Sequence, residues 1–420
     1  MALVADDSNL QSSKAQSAGS TTYVHSGVRA PNIGEIPRPR RRRRRHFGRT
    51  IIYYGALTAG LVAVSGGIIV IQAERVPGNE DLVVKLAEWG RDNGLGPLVT
   101  VAESIQYRMN PPAVGGAPDL GILASNAALA THNPTARAGA AAEPLHAPMS
   151  TPAHQPLPGE GVFAPIGRDS RDALVQTTFV RPDALHTSYL TGVAWMSHQL
   201  RFALHPGYQE PGRPSAGGSW SLPDHVSNAE LPSVIATFNS GFKMKDAQGG
   251  FYDNGKTSGT LISGAASLVI YRDGHATVGT WDQDVSMSKD VAYVRQNLRP
   301  LIEGGAFAPN LNGNVESNWG ATVGGDLSVW RSGVGVTAQG DLVYAAGDAL
   351  TVAALADVLK RAGAVTAMQL DINRSWISFM SYPKSGAGHN PHKLGNFQRP
   401  ADRYLQPVSR DFIAVTTPGN

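Results

Sequence analysis

The pattern of apolar and polar positions is sharpest between Trp330 and Trp376. Residues 334–336 and 342–344 are short apolar runs separated by Ala338-Gln339-Gly340, which predicts a β-hairpin. Thr351 suits an N-cap, and Val352, Leu355, Val358, Leu359 and Ala362 follow at helical spacing, which predicts a helix over 351–362. Lys360 and Arg361 fall in its last turn, where the helix dipole favours cations, and Gly363 supplies the C-cap. Residues 364–370 are short and nearly all apolar, the pattern of a strand buried on both faces. Asp371 stands at its exit, and a carboxylate there must be paired, hydrogen-bonded or open to a cleft, because burying a lone charge costs too much. Further upstream, residues 234–238 read as a buried strand, and 267–272 and 275–279 flank the hairpin signal Asp273-Gly274. Helical signals are few. The expected fold of residues 161–420 is α+β, a β-rich mixed-sheet globular domain with few helices.

The region before it reads differently. Residues 1–37 are polar and rich in small side chains, with little to build a core, and are expected to be disordered within a basic tail spanning 1–49. Residues 50–73 contain no charged side chain and are long enough for a transmembrane helix. A cleaved signal peptide is the rival reading; its apolar stretch is usually shorter and its leader shorter too, so the anchor is favoured. Residues 74–110 read as a juxtamembrane helical segment, with an amphipathic helix over 79–92 capped by Asn79 and a second from Pro97 to about Tyr107. Residues 111–160 are dominated by Ala, Pro and Gly and read as a linker.

Charge sharpens this picture. Arg38, Arg40 to Arg45 and Arg49 lie just before the apolar stretch; taking these eight from the net +3 leaves −5, so the rest of the chain is mildly acidic. Their place next to the span makes them a topology determinant and lipid-headgroup contact rather than a nucleic-acid site. The expectation is a single-pass cell-membrane protein with a cytoplasmic N-terminus and an extracellular C-terminal domain. The chain has no cysteine, which excludes disulfides, thiolate metal sites and a cysteine nucleophile.

Two tempting motifs carry no assignment. Residues 333–338 match the loose dinucleotide pattern G-x-G-x-x-A, but that motif needs a strand before it and a helix after it, and here a hairpin follows. His389 and His392 stand three apart without a matching third ligand, so no metal is assigned, and no motif names a cofactor.

Four short blocks point to a family. Ala236-Thr237-Phe238-Asn239-Ser240-Gly241-Phe242, Leu301-Ile302-Glu303-Gly304-Gly305, Arg331 followed by Ser332-Gly333-Val334-Gly335-Val336-Thr337, and the helix and strand ending in Leu370-Asp371 occur in one order. In that order they resemble the motifs of phosphodiester glycosidase domains, over about residues 162–415. The resemblance implies hydrolysis of a sugar-1-phosphodiester, with glycan or sugar phosphate as substrate, and cell-wall or exported polysaccharide as the expected source. Such chemistry asks for a cation on the phosphate and carboxyl groups for proton transfer or attack. It makes Arg331 the phosphate candidate, with a structural salt bridge as its plainer role. Asp371 and Glu303 become the catalytic carboxyl candidates, Asp371 having turn capping as its alternative. Asn239 would hydrogen-bond the sugar, orient a carboxylate or shape a turn. Asn373, Ser375 and Trp376 are substrate-binding candidates, Trp376 either stacking on a sugar ring or packing in the core. Asp348 reads as a turn residue or the edge of the site.

One departure stands out. Where the family block closes with Asp-Gly-Gly-Gly-Ser-Ser, this chain has Asp371-Ile372-Asn373-Arg374-Ser375-Trp376. Glycines let backbone approach a ligand closely, and side chains here fill that space. A non-catalytic glycan-binding or envelope-organising protein on the same fold is therefore the second reading.

Overall fold

The computed structural model describes residues 69–74, 82–95, 98–99, 111–131, 143–153, 155–312, 316–320, 328–385 and 388–418. The chain divides into two units, 1–63 and 64–420, and every described residue belongs to the second. The basic tail and nearly all of the expected membrane span at 50–73 lie outside the described residues; of the span only 69–73 are described, in a helical stretch reaching residue 74. Among the described residues no helix is long and apolar enough to cross a membrane. Helix α1, Leu82–Asp92, forms where the amphipathic pattern placed it, while its expected cap Asn79 lies outside the described residues. Of the second expected helix, 97–107, only residues 98–99 are described.

The expected linker behaves otherwise than its composition suggests. Helix α2, Leu120–Ala130, starts at Asp119, whose side chain accepts from the Gly121 amide. Leu123 is 1% exposed within the domain core. Asn126 donates to the carbonyls of Val162 (2.9 Å) and Thr177 (3.0 Å) and accepts from the Thr177 hydroxyl (3.1 Å). Further on, Glu160 receives the Arg181 guanidinium at 2.9 Å, the Arg181 amide at 2.8 Å and the Thr151 hydroxyl at 2.6 Å. Over its described residues, then, the 111–160 stretch is part of the folded unit and not a free spacer. Apolar residues run all round α2, so no helical stripe marked it in the sequence.

Five strands build the site: β1 Val234–Asn239, β2 Val329–Thr337, β3 Leu342–Leu350, β4 Ala364–Gln369 and β5 Phe412–Thr416. The larger sheet has eight strands in the order Ala164–Pro165, Val175–Val180, Thr191–Met196, β3, β2, β4, Pro300–Glu303, Ala306–Phe307. A five-stranded sheet runs His392–Lys393, Phe379–Ser381, β1, β5, Arg201–His205, and another carries Lys256–Ser258, Phe251–Asp253, Val291–Gln296, Ala266–Tyr271 and Ala276–Thr280. All pairings between these strands are antiparallel, which corrects the mixed-sheet expectation. The all-apolar run of β4 misled on this point. It is buried on both faces because α3, Val352–Arg361, covers one side of the large sheet and the other sheets cover the opposite side.

Alternation along the strands separates the two faces. Val334, Val336, Tyr344 and Met368 join Phe238, Ile413 and Val415 in the core between sheets. Val343, Ala345 and Ala367 meet Leu355, Val358 and Leu359 of α3. Thr351 caps α3 by accepting from the Ala354 amide at 3.0 Å, and Gly363 follows with φ of +99°, as the helical pattern predicted. Gly333 and Gly335 earn their place by close packing. A Cβ on Gly333 would come within 2.9 Å of the Met368 carbonyl oxygen, and one on Gly335 within 2.7 Å of the Ala364 methyl. These glycines thus serve strand and helix packing, in keeping with the rejected dinucleotide reading.

Candidate active site

The end of β4 is where polar side chains enter the core. Leu370 N donates to Ser332 O and Ser332 N donates to Asp371 O, both at 2.8 Å, so one residue of β2 faces two residues at the strand exit. That is a β-bulge, a device that re-aims a side chain. The Ser332 hydroxyl seals it, accepting from Asp371 N (3.1 Å) and Asn239 Nδ2 (3.1 Å) and lying 3.2 Å from Asp371 O, to which it donates. Asn239, at the end of β1, also donates to Ser240 O (2.9 Å) and accepts on Oδ1 from the Tyr344 hydroxyl (2.8 Å) and the Ser378 amide (3.0 Å). Both amide hydrogens and both lone-pair positions of its side chain are thereby engaged. Asn239 is a buried brace joined to Ser240, Ser332, Tyr344 and Ser378, and it bonds no carboxylate among the described residues. Complete burial pushes the Tyr344 hydroxyl well above the usual tyrosine range, so it stays a donor to Asn239.

Asp371 is 3% exposed and both its side-chain oxygens accept. Oδ1 takes the Asn373 amide at 2.8 Å and Oδ2 takes Arg410 Nη2 at 3.2 Å. The same Arg410 nitrogen donates to Gly241 O at 3.0 Å. Behind it sits Trp376, with the guanidinium carbons of Arg410, Arg399 and Arg403 at 4.7, 4.9 and 5.4 Å from its ring centre. Arg399 also donates to Ser375 O (2.6 Å) and Arg403 to Trp376 O (3.2 Å). Burial, and next the neighbouring Arg403 charge, push the Arg399 guanidinium down. The loop after Asp371 is internally closed: Asn373 Oδ1 accepts from the Ser375 amide (2.9 Å) and Asn373 O from the Trp376 amide (2.8 Å).

This arrangement sorts the expected residues. Trp376 is 6% exposed and serves as a floor for arginines, so the core role holds and the sugar-stacking role does not. Asn373 and Ser375 remain partly exposed, Ser375 donating to Gln398 Oε1 at 3.1 Å. Arg331 is 1% exposed and points to the α3-covered face, where it donates to Leu350 O and Gln369 Oε1, each at 2.9 Å. Gln369 shares that face, whereas Ser332 and Asn239 occupy the other. Arg331 is thus bonded on the face opposite Ser332 and Asn239. Glu303 is exposed and accepts from the Thr280 hydroxyl at 2.6 Å. Its strand pairs Pro300 with Met368 and Ile302 with Ala367, so it runs away from Asp371. At about 3.3 Å per residue the two carboxylates stand roughly 15 Å apart along the sheet, too far to share a sugar.

Other residues take their place. Ser332 and Arg410 hold Asp371. At the mouth, β3 bulges: Arg331 pairs with Gly347 but Val329 with Leu350, and Ala349 adopts φ of +57°. This extra residue carries Asp348, half-buried opposite Trp330. Burial pushes the Asp348 carboxyl above the ordinary aspartate range, against the opposing pull of the Ala349 amide, Arg374, Trp330 and His186. Among the described residues no group of three His, Cys, Asp or Glu side chains is placed to hold a metal ion. A cavity of about 720 Å³ lies elsewhere, between Phe307, Leu311 and the Ala353–Asp357 side of α3, on the face away from Asp371.

Comparison with known proteins agrees with the motif order. The phosphodiester glycosidase family model matches residues 232–371, ending on Asp371. Among solved structures, the zebrafish N-acetylglucosamine-1-phosphodiester alpha-N-acetylglucosaminidase catalytic domain, auto-inhibited by its pro-peptide, is 14% identical over 61% of this chain and 88% of that one, with a TM-score of 0.38. A hypothetical protein from Synechocystis is 12% identical over 58% of this chain and 62% of its own, with a TM-score of 0.31. No curated protein matches the chain. The family likeness therefore rests on residues 232–371, a third of the chain, which are similar to the phosphodiester glycosidase family model.

Proposed function

We propose that this domain hydrolyses glycosyl phosphodiesters, breaking the bond between the sugar C1 and the phosphate oxygen. The observation that carries the reading is Asp371, a carboxylate set on a bulge at a strand exit inside the family-matched segment. Arg410 and the Asn373 amide fix both of its oxygens. A carboxylate held this way is oriented to accept the proton of an attacking water. Ser332 and Asn239 keep the bulge in register, which positions that base. The uncharged stretch at 50–73 and the arginines before it support an anchored protein whose domain faces outward, toward cell-wall or exported polysaccharide.

Incubation of the full chain with a panel of sugar-1-phosphodiesters tests the reading: free sugar and a phosphomonoester are the expected products. A second reading, glycan binding without turnover, draws on the side chains of residues 372–376 where the family block has glycines. Tight binding of the same panel with no release of sugar is the result that would favour it.

A further inference from the structure

We infer that Arg374 and Asp348 form the subsite for the leaving phosphate, Arg374 taking its charge and Asp348 supplying its proton. This inference rests on the hydrolase reading of Asp371. Four arginines near Asp371 are already engaged: Arg331 on the α3 face, Arg410 on Asp371 and Gly241, and Arg399 and Arg403 around Trp376. Arg374 differs. It is exposed, three residues beyond Asp371, and its guanidinium lies over the Trp330 ring at 5.6 Å from the centroid. Among the described residues it makes no hydrogen bond, so its planar fork of donors faces solvent at the mouth.

Asp348 stands beside it. The bulge in β3 places Asp348 opposite Trp330 and on the Tyr344 and Ala346 side of the sheet, the side that carries Ser332 and the Asp371 network. Its Oδ1 accepts from the Ala349 amide at 2.8 Å. Asp348 and Asp371 flank β2 at the same end. Strand spacing puts their Cα atoms roughly 12 Å apart. The groups that face Asp348 are Arg374, Trp330, His186 and the Ala349 amide, and His186 is itself held by Asp183 at 2.8 Å. The half-buried carboxyl keeps its proton to higher pH than an ordinary aspartate, because burial disfavours its charged form.

The step balances. Water adds its oxygen to C1 and gives a proton to Asp371. The C1–O bond breaks, and its electron pair stays on the phosphate oxygen. The phosphomonoester dianion so formed, bound by Arg374, takes a proton from Asp348. Proton return from Asp371 to Asp348 through solvent resets the site.

The test separates the phosphate subsite from turnover. Methyl phosphate is titrated into the full-length protein by calorimetry at pH 6, with wild type, Arg374→Ala, Arg374→Lys and Asp348→Asn. Arg374 is exposed, so its replacement leaves folding intact. Wild type binds in the millimolar range or tighter; Arg374→Ala weakens binding by about tenfold or more, the worth of a charge-assisted hydrogen bond, and Lys restores part of it. Wild-type binding weakens as pH rises and Asp348 ionises beside the anion, and Asp348→Asn removes that part of the pH dependence. Absence of methyl phosphate binding, or equal binding by Arg374→Ala, overturns the subsite. Sugar release that Arg374→Ala leaves unchanged also overturns it while sparing the hydrolase reading. Arg374-dependent methyl phosphate binding with no sugar release from any substrate sinks the hydrolase reading instead.

Discussion

Replacing Arg410 with methionine isolates the contact on which the site geometry depends. The guanidinium bridges Asp371 Oδ2 at 3.2 Å and Gly241 O at 3.0 Å, and it lies 4.7 Å from the centre of the Trp376 ring. Both members of the ion pair are nearly buried, with side-chain exposures of 7% and 5%. Methionine refills most of the volume over the indole but removes the cation bonded to Asp371 Oδ2. Breaking a buried pair in this way costs about 3–5 kcal/mol. In an Asp371→Asn background no charge is stranded, so the same replacement costs about 1–2 kcal/mol, mainly the lost bond to Gly241. The coupling between the two sites is therefore about 2 kcal/mol, within the range for residues in direct contact. Urea unfolding of the full chain for wild type, both single variants and the double variant reads this directly. If Arg410→Met costs less than about 1 kcal/mol, or the same in both backgrounds, Arg410 does not hold Asp371.

Two further predictions concern the scaffold. Glu160→Gln breaks the clamp between the 143–161 segment and Arg181 and destabilises by about 3 kcal/mol near neutral pH, with faster proteolysis before residue 161. Burial pushes the Glu160 carboxyl up, but its bonds to Arg181, Thr151 and the Leu157 amide outweigh that and hold it below the ordinary value of 4.5. A depressed carboxyl contributes stability above its unfolded pKa and loses it as pH falls through the folded value, so the gap between wild type and Glu160→Gln should close in melts below pH 4.5. A gap that widens on acidification would contradict this sign. Gly335→Ala forces a methyl toward Ala364 and the Thr366 carbonyl and should cost about 1–3 kcal/mol in thermal melts; a neutral result would mean that the β2–β4 contact is looser than described.

Local signals in the sequence carried a good part of the fold. Thr351 and Gly363 bracket α3 because capping and left-handed glycine are short-range chemistry. Asp273-Gly274 turns a hairpin for the same reason, with Gly274 at φ of +85°. Asp371 was legible as a carboxylate needing a partner, but the partner was not. Arg410 lies 39 residues further along the chain, and nothing local marks it. Ser332 was equally hidden: it sits inside the family-like block after Arg331, yet its role depends on a bulge that only pairing with β4 creates. Arg331 and Glu303 misled in opposite ways. Motif order implied convergence, but the pleat turns Arg331 to the other face and antiparallel pairing carries Glu303 away from Asp371. The 372–376 loop, where the chain departs from the family block, buries Trp376 under arginines and leaves Arg374 at the mouth. An all-round apolar α2 inside an Ala- and Pro-rich stretch looked like spacer because its burial comes from Asn126 and Leu123 docking onto the sheet.

The most direct test of the central claim is sugar release from a sugar-1-phosphodiester by wild type and by Asp371→Asn, compared in the full chain once melts show both folded. Removing a positioned base lowers turnover by about 10²–10⁴-fold, so wild type should release sugar and Asp371→Asn should fall by at least a hundredfold. Equal rates for the two proteins across the panel would contradict the account.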